Sequence, residues 1–226
     1  MRPLRPRQAL TKETLDGAAR WLAGIDPTLG AIYESLGPPP LWYRRPVFAT
    51  LLRIVLEQQV SLAAAKSTFQ RLKLECGGRI SAASISRISD QGLATAGVSR
   101  QKIRYIRGLA DAVRCRRFSV ARLADCDDEQ VRQRITALLG FGDWSADVYL
   151  MMALLRPDVL PVGDLGLVKG LVEADAEAPG RPDRPVTSAL AVRGETWRPF
   201  RSVATRMIWQ HYLVRRGKDV DEIAAG

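Results

Sequence analysis

Apolar residues recur every three or four positions along most of the chain, and where the recurrence fails a glycine or proline usually stands in the gap. Residues 11–24, TKETLDGAARWLAG, read as a helix opened by Thr11, although the glutamate of a capping box sits out of register at Glu13. A shorter helix over 28–36 stops at Gly37, and the run Gly37-Pro38-Pro39-Pro40 is a firm break. From Phe48 the apolar positions 48, 51, 52 and 55 share one helical face, ending near Gln58-Gln59. Ser61 caps the next helix, whose expected inner face is Leu62, Ala65, Phe69 and Leu72. Two short segments follow Gly77-Gly78 and lead to Gly97. Ser99 then caps a helix with Ile103, Ile106, Ala110 and Val113 inward. Its other side carries Arg100, Arg104, Arg107 and Arg114, which read either as a solvated face or as a track for phosphates. Further helices are expected over 128–138, 144–155, from 165 to about 174, and about 200–215, with EAPGRPDRPV at 177–186 as a loop. Nowhere do four or more residues alternate with period two between turn signals, so the expected fold class is all-α, in many short helices.

Size and charge narrow the picture. A chain of 226 residues is long enough for one large domain or two small lobes. Its 34 lysines and arginines exceed its 24 aspartates and glutamates, and the net charge of +10 points to an anionic partner, nucleic acid first. Cys76, Cys115 and Cys126 are scattered, with no CxxC pair, and His211 is the single histidine, so neither a zinc site nor a centre needing two histidines is expected. The longest apolar run, 148–155, falls well short of the ~20 residues a bilayer requires. The basic start MRPLRPRQAL has no apolar segment behind it, so the expectation is a cytoplasmic protein without a secretion signal, nucleoid-associated in a bacterial cell.

One stretch concentrates unusual choices. In LLGFGDWSAD, residues 138–147, Gly140 and Gly142 bracket Phe141 between two helical segments. Glycine permits positive φ and removes the side chain that would hold another backbone away, while Phe141 can plug into the core and fix the turn. The first amides of the following helix then favour an anion, and for a basic chain the expected anion is a DNA phosphate. This is the pattern of a helix-hairpin-helix, which grips the duplex backbone without reading sequence. An ordinary helical hairpin with a glycine C-cap is the plain alternative. Asp143, taken as the N-cap, would place a negative charge near that phosphate.

The longer stretch LLGFGDWSADVYLMMALLRPDVLPVGDLGL, 138–167, resembles the helix-hairpin-helix DNA glycosylases, and within them the 3-methyladenine DNA glycosylase II branch. Three further segments agree in order and spacing: LEQQVSLAAAKS at 56–67, GVSRQKIRYIRGLA at 97–110 and WRPFRSVATRMIW at 197–209. Leu139 departs from the pattern, standing where the family usually has proline. The resemblance implies two helical lobes with a cleft between them lined by Trp144, Asp164 and Trp209. Residues 47–164 would form a six-helix lobe holding the hairpin at about 128–155, and residues 1–46 and 165–226 the other.

The resemblance also implies roles. Asp164, by position alone equally an N-cap for the helix from Leu165, matches the catalytic aspartate. Breaking a glycosidic bond develops positive charge on the sugar, and a fixed carboxylate beside it stabilises that transition state. Trp144 stands where bifunctional relatives carry a nucleophilic lysine, so no Schiff base and no strand cleavage are expected, and by resemblance it lines the pocket for the extruded base. Trp209 lies off the inner stripe of its helix and matches an aromatic set against the flipped nucleotide, where an electron-rich face suits a cationic alkylated purine. Gln59 matches the wedge that fills the gap left by the base. Trp42 reads equally as a pocket residue or as a pin for the linker.

No cofactor is required on this reading. Relatives with an iron–sulfur cluster place its cysteines after the catalytic aspartate, and no cysteine follows Asp164. A sodium or potassium ion at the hairpin would be held by the carbonyls of Thr136, Leu138 and Phe141. The implied activity is release of alkylated purines from double-stranded DNA by a monomer with no membrane partner. The alternatives are a helix-hairpin-helix DNA-binding module without chemistry, and a glycosylase for oxidised or deaminated bases.

Overall fold

A computed structural model of the protein describes residues 9–177 and 187–220. Among these residues every regular element is helical: α1 Lys12–Ile25, α2 Pro27–Leu36, α3 Phe48–Glu57, α4 Leu62–Glu75, α5 Ala82–Arg87, α6 Asp90–Thr95, α7 Arg100–Arg114, α8 Asp128–Thr136, α9 Asp143–Met152, α10 Leu165–Glu177, α11 Thr187–Thr196 and α12 Arg201–Val214. A 3₁₀ turn spans Ala121–Asp125. Most of the expected loop, 178–186, lies outside the described residues.

Helix starts follow the side chains that can satisfy orphan amides. The capping box at α1 is closed by Thr14 rather than a glutamate: the Thr14 amide donates to Thr11 Oγ1 at 3.2 Å and the Thr11 amide to Thr14 Oγ1 at 2.8 Å. Ser61 and Ser99 cap α4 and α7 as expected. Asp26, unassigned by the periodicity, caps α2 by accepting the amides of Thr28 and Leu29. Helix α11 was not anticipated, because TSALAVRGET mixes small, polar and apolar residues without a clear stripe.

The chain divides into two units, residues 44–153 and residues 1–43 with 154–226. The second break comes earlier than the expected 164, so the turn bearing Asp164 belongs with the chain ends. In the unit 44–153, seven helices, α3–α9, replace the six expected. Its interior is built from Leu51, Leu52, Ile54 and Val55 of α3, Ile106 and Leu109 of α7, and Ala146, Tyr149 and Leu150 of α9. From Ser145 to Met152 α9 is buried on every side, as a helix without a polar face must be. The inner face of α4 is narrower than its spacing suggested: Ala65 and Leu72 are buried, Leu62 is exposed, and Phe69 lies under the Arg53 guanidinium at 5.7 Å. On α7, Arg107 is not part of a solvated stripe. Its guanidinium donates to Asp90 at 2.8 and 3.0 Å and to the Ile85 carbonyl at 2.6 Å, tying α7 to α5 and α6. Arg100, Arg104 and Arg114 are exposed.

The other unit packs α1, α2, α10 and α12 around Leu22, Leu29, Leu167, Leu171, Trp197, Val203, Met207 and Ile208. Helices α10 and α12 approach closely because Gly170 carries no side chain. A Cβ there would meet Tyr212 Cβ at 2.9 Å and Ile208 at 3.0 Å. This contact sets the start of α10 beside the middle of α12.

Candidate active site

Asp164 ends a tight turn in which its amide donates to the Pro161 carbonyl at 2.9 Å. One carboxylate oxygen, Oδ1, accepts the Leu167 amide at 2.6 Å and the Trp209 indole N–H at 2.9 Å. The aspartate is therefore at once the cap of α10 and the partner of a tryptophan on α12. It is half-buried, between exposed Val162 and Leu165, and so is not sealed in the interior.

Trp209 packs partly against the core of its unit and finds its apolar partner in Trp42, with ring centroids 6.3 Å apart at 46°. Trp42 is 2% exposed, adopts φ +45°, and donates its indole N–H to the Val220 carbonyl at 2.9 Å. Of the two roles weighed for it, the structure supports the pin, and it braces Trp209 as well.

The hairpin lies in the other unit, joining α8 to α9. Gly140 has φ +84°, and a Cβ at this position would run into the Tyr105 ring, so both conformation and space demand glycine. Gly140→Ala should therefore lower stability by roughly 1–3 kcal/mol, and a urea unfolding midpoint equal to that of the parent protein would refute this account of the turn. Phe141 is buried, as a plug should be. The N-cap of α9 is Gly142, not Asp143, and it makes no side-chain cap. Gly142 is exposed, and a Cβ there would meet nothing within 4 Å, so the missing side chain leaves the helix entrance open rather than relieving an internal clash. Asp143 is instead the first helical residue, where its charge suits the helix dipole. Arg132 and Asp147, paired at 2.9 Å, hold α8 to α9.

Gln59 is exposed at the end of α3 with φ +55°. Its neighbour Gln58 donates to the Gly140 carbonyl at 2.9 Å and contacts Ser145 Oγ at 3.1 Å, fastening this turn to the hairpin. Trp144, in the first turn of α9, is half-buried. The structure thus brings Asp164 together with Trp209, and the Gln58-Gln59 turn together with Gly140. Gln58 and Tyr105 carry the hairpin's support, and nothing in their immediate sequence signals it.

A family model for HhH-GPD superfamily base excision DNA repair proteins matches residues 52–190. The chain belongs to this superfamily. This HhH-GPD chain is 31% identical over 167 residues to the probable bifunctional transcriptional activator/DNA repair enzyme AlkA of Mycobacterium tuberculosis, a match covering 70% of this chain and 32% of that protein. The HhH-GPD chain thus spans about a third of the length of that relative. It is 25% identical over 195 residues to DNA-3-methyladenine glycosylase 1 of Schizosaccharomyces pombe, covering 84% of each. Among solved structures, the DNA-3-methyladenine glycosidase of Bacillus halodurans superposes with a TM-score of 0.72 at 29% identity, over 92% of this chain and 96% of that one. The Schizosaccharomyces pombe 3-methyladenine DNA glycosylase in complex with abasic DNA shares the fold, with a TM-score of 0.73 at 24% identity over 86% and 95% of the two chains.

Proposed function

We propose that the protein is a monofunctional DNA glycosylase that hydrolyses the N-glycosidic bond of alkylated purines in duplex DNA. The observation that carries this reading is the Asp164 carboxylate, fixed through one oxygen by two donors at a partly open helix start. As the bond to a 3-methyladenine or 7-methylguanine base breaks, the deoxyribose becomes electron-poor, and a preorganised anion stabilises that charge more than the ground state. Water then adds to the sugar carbon, its proton is taken up by the carboxylate, and the products are the free base and an abasic site. The base leaves with its bonding electron pair. Because alkylated purines are already cationic, they leave with little help from an acid.

Trp209, held beside Asp164, offers an aromatic face to the cationic base. With tryptophan at 144 there is no amine to form a Schiff base, so strand cleavage does not follow. Gly140-Phe141-Gly142 and the start of α9 take the duplex backbone, and Gln59 enters the stack as the base leaves it. The relatives named above as 3-methyladenine glycosylases support the same substrate class. The protein acts as a monomer in the cytoplasm, and among the described residues no helix is long and apolar enough to cross a membrane.

A monovalent cation fits the hairpin by the chemistry of its donors. Thr136, Leu138 and Phe141 would offer neutral backbone carbonyls, and Leu138 O already accepts the Phe141 amide at 3.1 Å as the turn closes. Such an ion would supply charge beside the duplex backbone, and no step of the reaction passes through it.

The test is release of free base from DNA treated with a methylating agent, followed by chromatography. Appearance of 3-methyladenine or 7-methylguanine with intact strands is the expected result. Duplex binding that weakens with salt, at a log–log slope of about −0.9 per phosphate contacted, without any released base would replace the enzyme by a binding module.

A further inference from the structure

The Gln59 turn is held in a conformation that its own residues disfavour. Gln59 lies in the left-handed region at φ +55°, where a non-glycine residue persists only if its surroundings hold it. Gln58 grips the hairpin on one side. On the other side stands Lys102, in the first turn of α7 and far away in sequence. Its ammonium donates to the carbonyls of Leu56 and Gln58, both at 2.8 Å. These are carbonyls at the C-terminal end of α3, where a cation is favoured by the helix dipole and by charge-assisted hydrogen bonds. Burial pushes the Lys102 amine below the usual lysine range, as expected for a group that has exchanged water for two carbonyls.

We infer that Lys102 is a positioning residue for base extrusion: it fixes the backbone on the near side of Gln59 so that this side chain meets the duplex already in its wedge conformation. This inference rests on the glycosylase reading given above and deepens it, by separating a residue that serves flipping from those that serve bond cleavage. Lys102 touches no reacting atom. A loosened turn would lose the advantage of a preformed wedge, and the loss would appear only where a paired base must be pulled from the stack.

The experiment compares two substrates under single-turnover conditions. One is a duplex with 7-methylguanine paired to cytosine, and the other places the same lesion in a bulge, where little pairing need be broken. Lys102→Met should slow release from the paired duplex by roughly tenfold and leave the bulge within about twofold of the parent rate. Lys102→Arg, which keeps a cationic donor, should restore most of the loss. In a Gln59→Ala background, Lys102→Met should add nothing further. If Lys102→Met does not fold, Lys102→Gln keeps one donor and should show the same split between substrates at smaller size. Equal losses on both substrates, or none on either, overturn the role of Lys102 while leaving the glycosylase reading intact. If the parent protein releases no base from either substrate, the glycosylase reading fails and this inference with it.

Discussion

Asp164→Asn should slow release of alkylated purines by roughly 10²–10³, the loss found when one preorganised electrostatic stabiliser is removed. The geometry makes this substitution a clean test. Two hydrogen bonds at Asp164, from the Leu167 amide and the Trp209 indole, arrive on the single oxygen Oδ1. An asparagine carbonyl can accept both, so the cap of α10 and the setting of Trp209 survive while the negative charge is lost. Affinity for an abasic duplex should stay within about threefold, because the proposed function assigns the phosphate contacts to the hairpin and not to the carboxylate. Single-turnover base release and a binding titration on the same preparation measure the two effects. A parent-like rate from Asp164→Asn would remove the carboxylate from the mechanism. A parallel loss of binding and unfolding midpoint would show instead that the residue is structural.

How much of this was legible in the sequence depended on how far the deciding partner lay along the chain. Helix starts at Thr11, Ser61 and Ser99 could be read because a cap acts within one turn, and Gly37 and Gly140 could be read because a breaker acts at its own position. Asp164 could be read as a cap from its place before Leu165, whereas the catalytic role proposed for it came from the family resemblance. The Trp209 indole that completes its surroundings is 45 residues away, and only the packing of α12 on α10 brings it there. The support of the hairpin was hidden for the same reason, as Gln58 and Gly140 are 82 positions apart. Arg107 misled in the opposite direction: a row of arginines at helical spacing looks solvated until Asp90 and the Ile85 carbonyl are placed opposite one of them. Asp143 reads as the cap of α9 because aspartate is a strong cap former, yet the cap lies one residue earlier, on Gly142. Composition likewise hid α11, although that helix carries an arginine that bridges two carboxylates.

That arginine supports the second large expectation: Arg193→Met should destabilise the unit formed by the chain ends by about 3–5 kcal/mol, the usual cost of stranding a buried charge. Arg193 donates to both oxygens of Asp26, at 2.6 and 2.8 Å, and to both of Asp175, at 2.8 and 2.9 Å. Its guanidinium lies 5.5 Å from the centre of the Trp197 ring, whose own N–H donates to Asp26 at 2.9 Å. Thr28 completes the cluster with a 2.6 Å bond to Asp175. One cation thus serves two carboxylates of the unit's interior, and methionine would fill the space of its stem while removing all four charge-assisted bonds. The pH dependence gives an independent check. Burial works to raise the Asp26 carboxyl, but the Arg193 guanidinium, the Trp197 indole and the Leu29 amide outweigh it and hold the group below the usual aspartate range. A carboxylate depressed in the folded state contributes its full stability above the unfolded value of about 3.9, and that contribution is lost as pH falls through the lower, folded value. Without Arg193 its hydrogen bonds and charge no longer lower the carboxyl, which moves upward, so protonation costs the variant less than the parent. Denaturant unfolding should therefore show the gap between parent and variant widest near neutral pH and narrowing below a pH of about 4. A gap that stays constant through the acid range would mean that the arginine stabilises by packing alone.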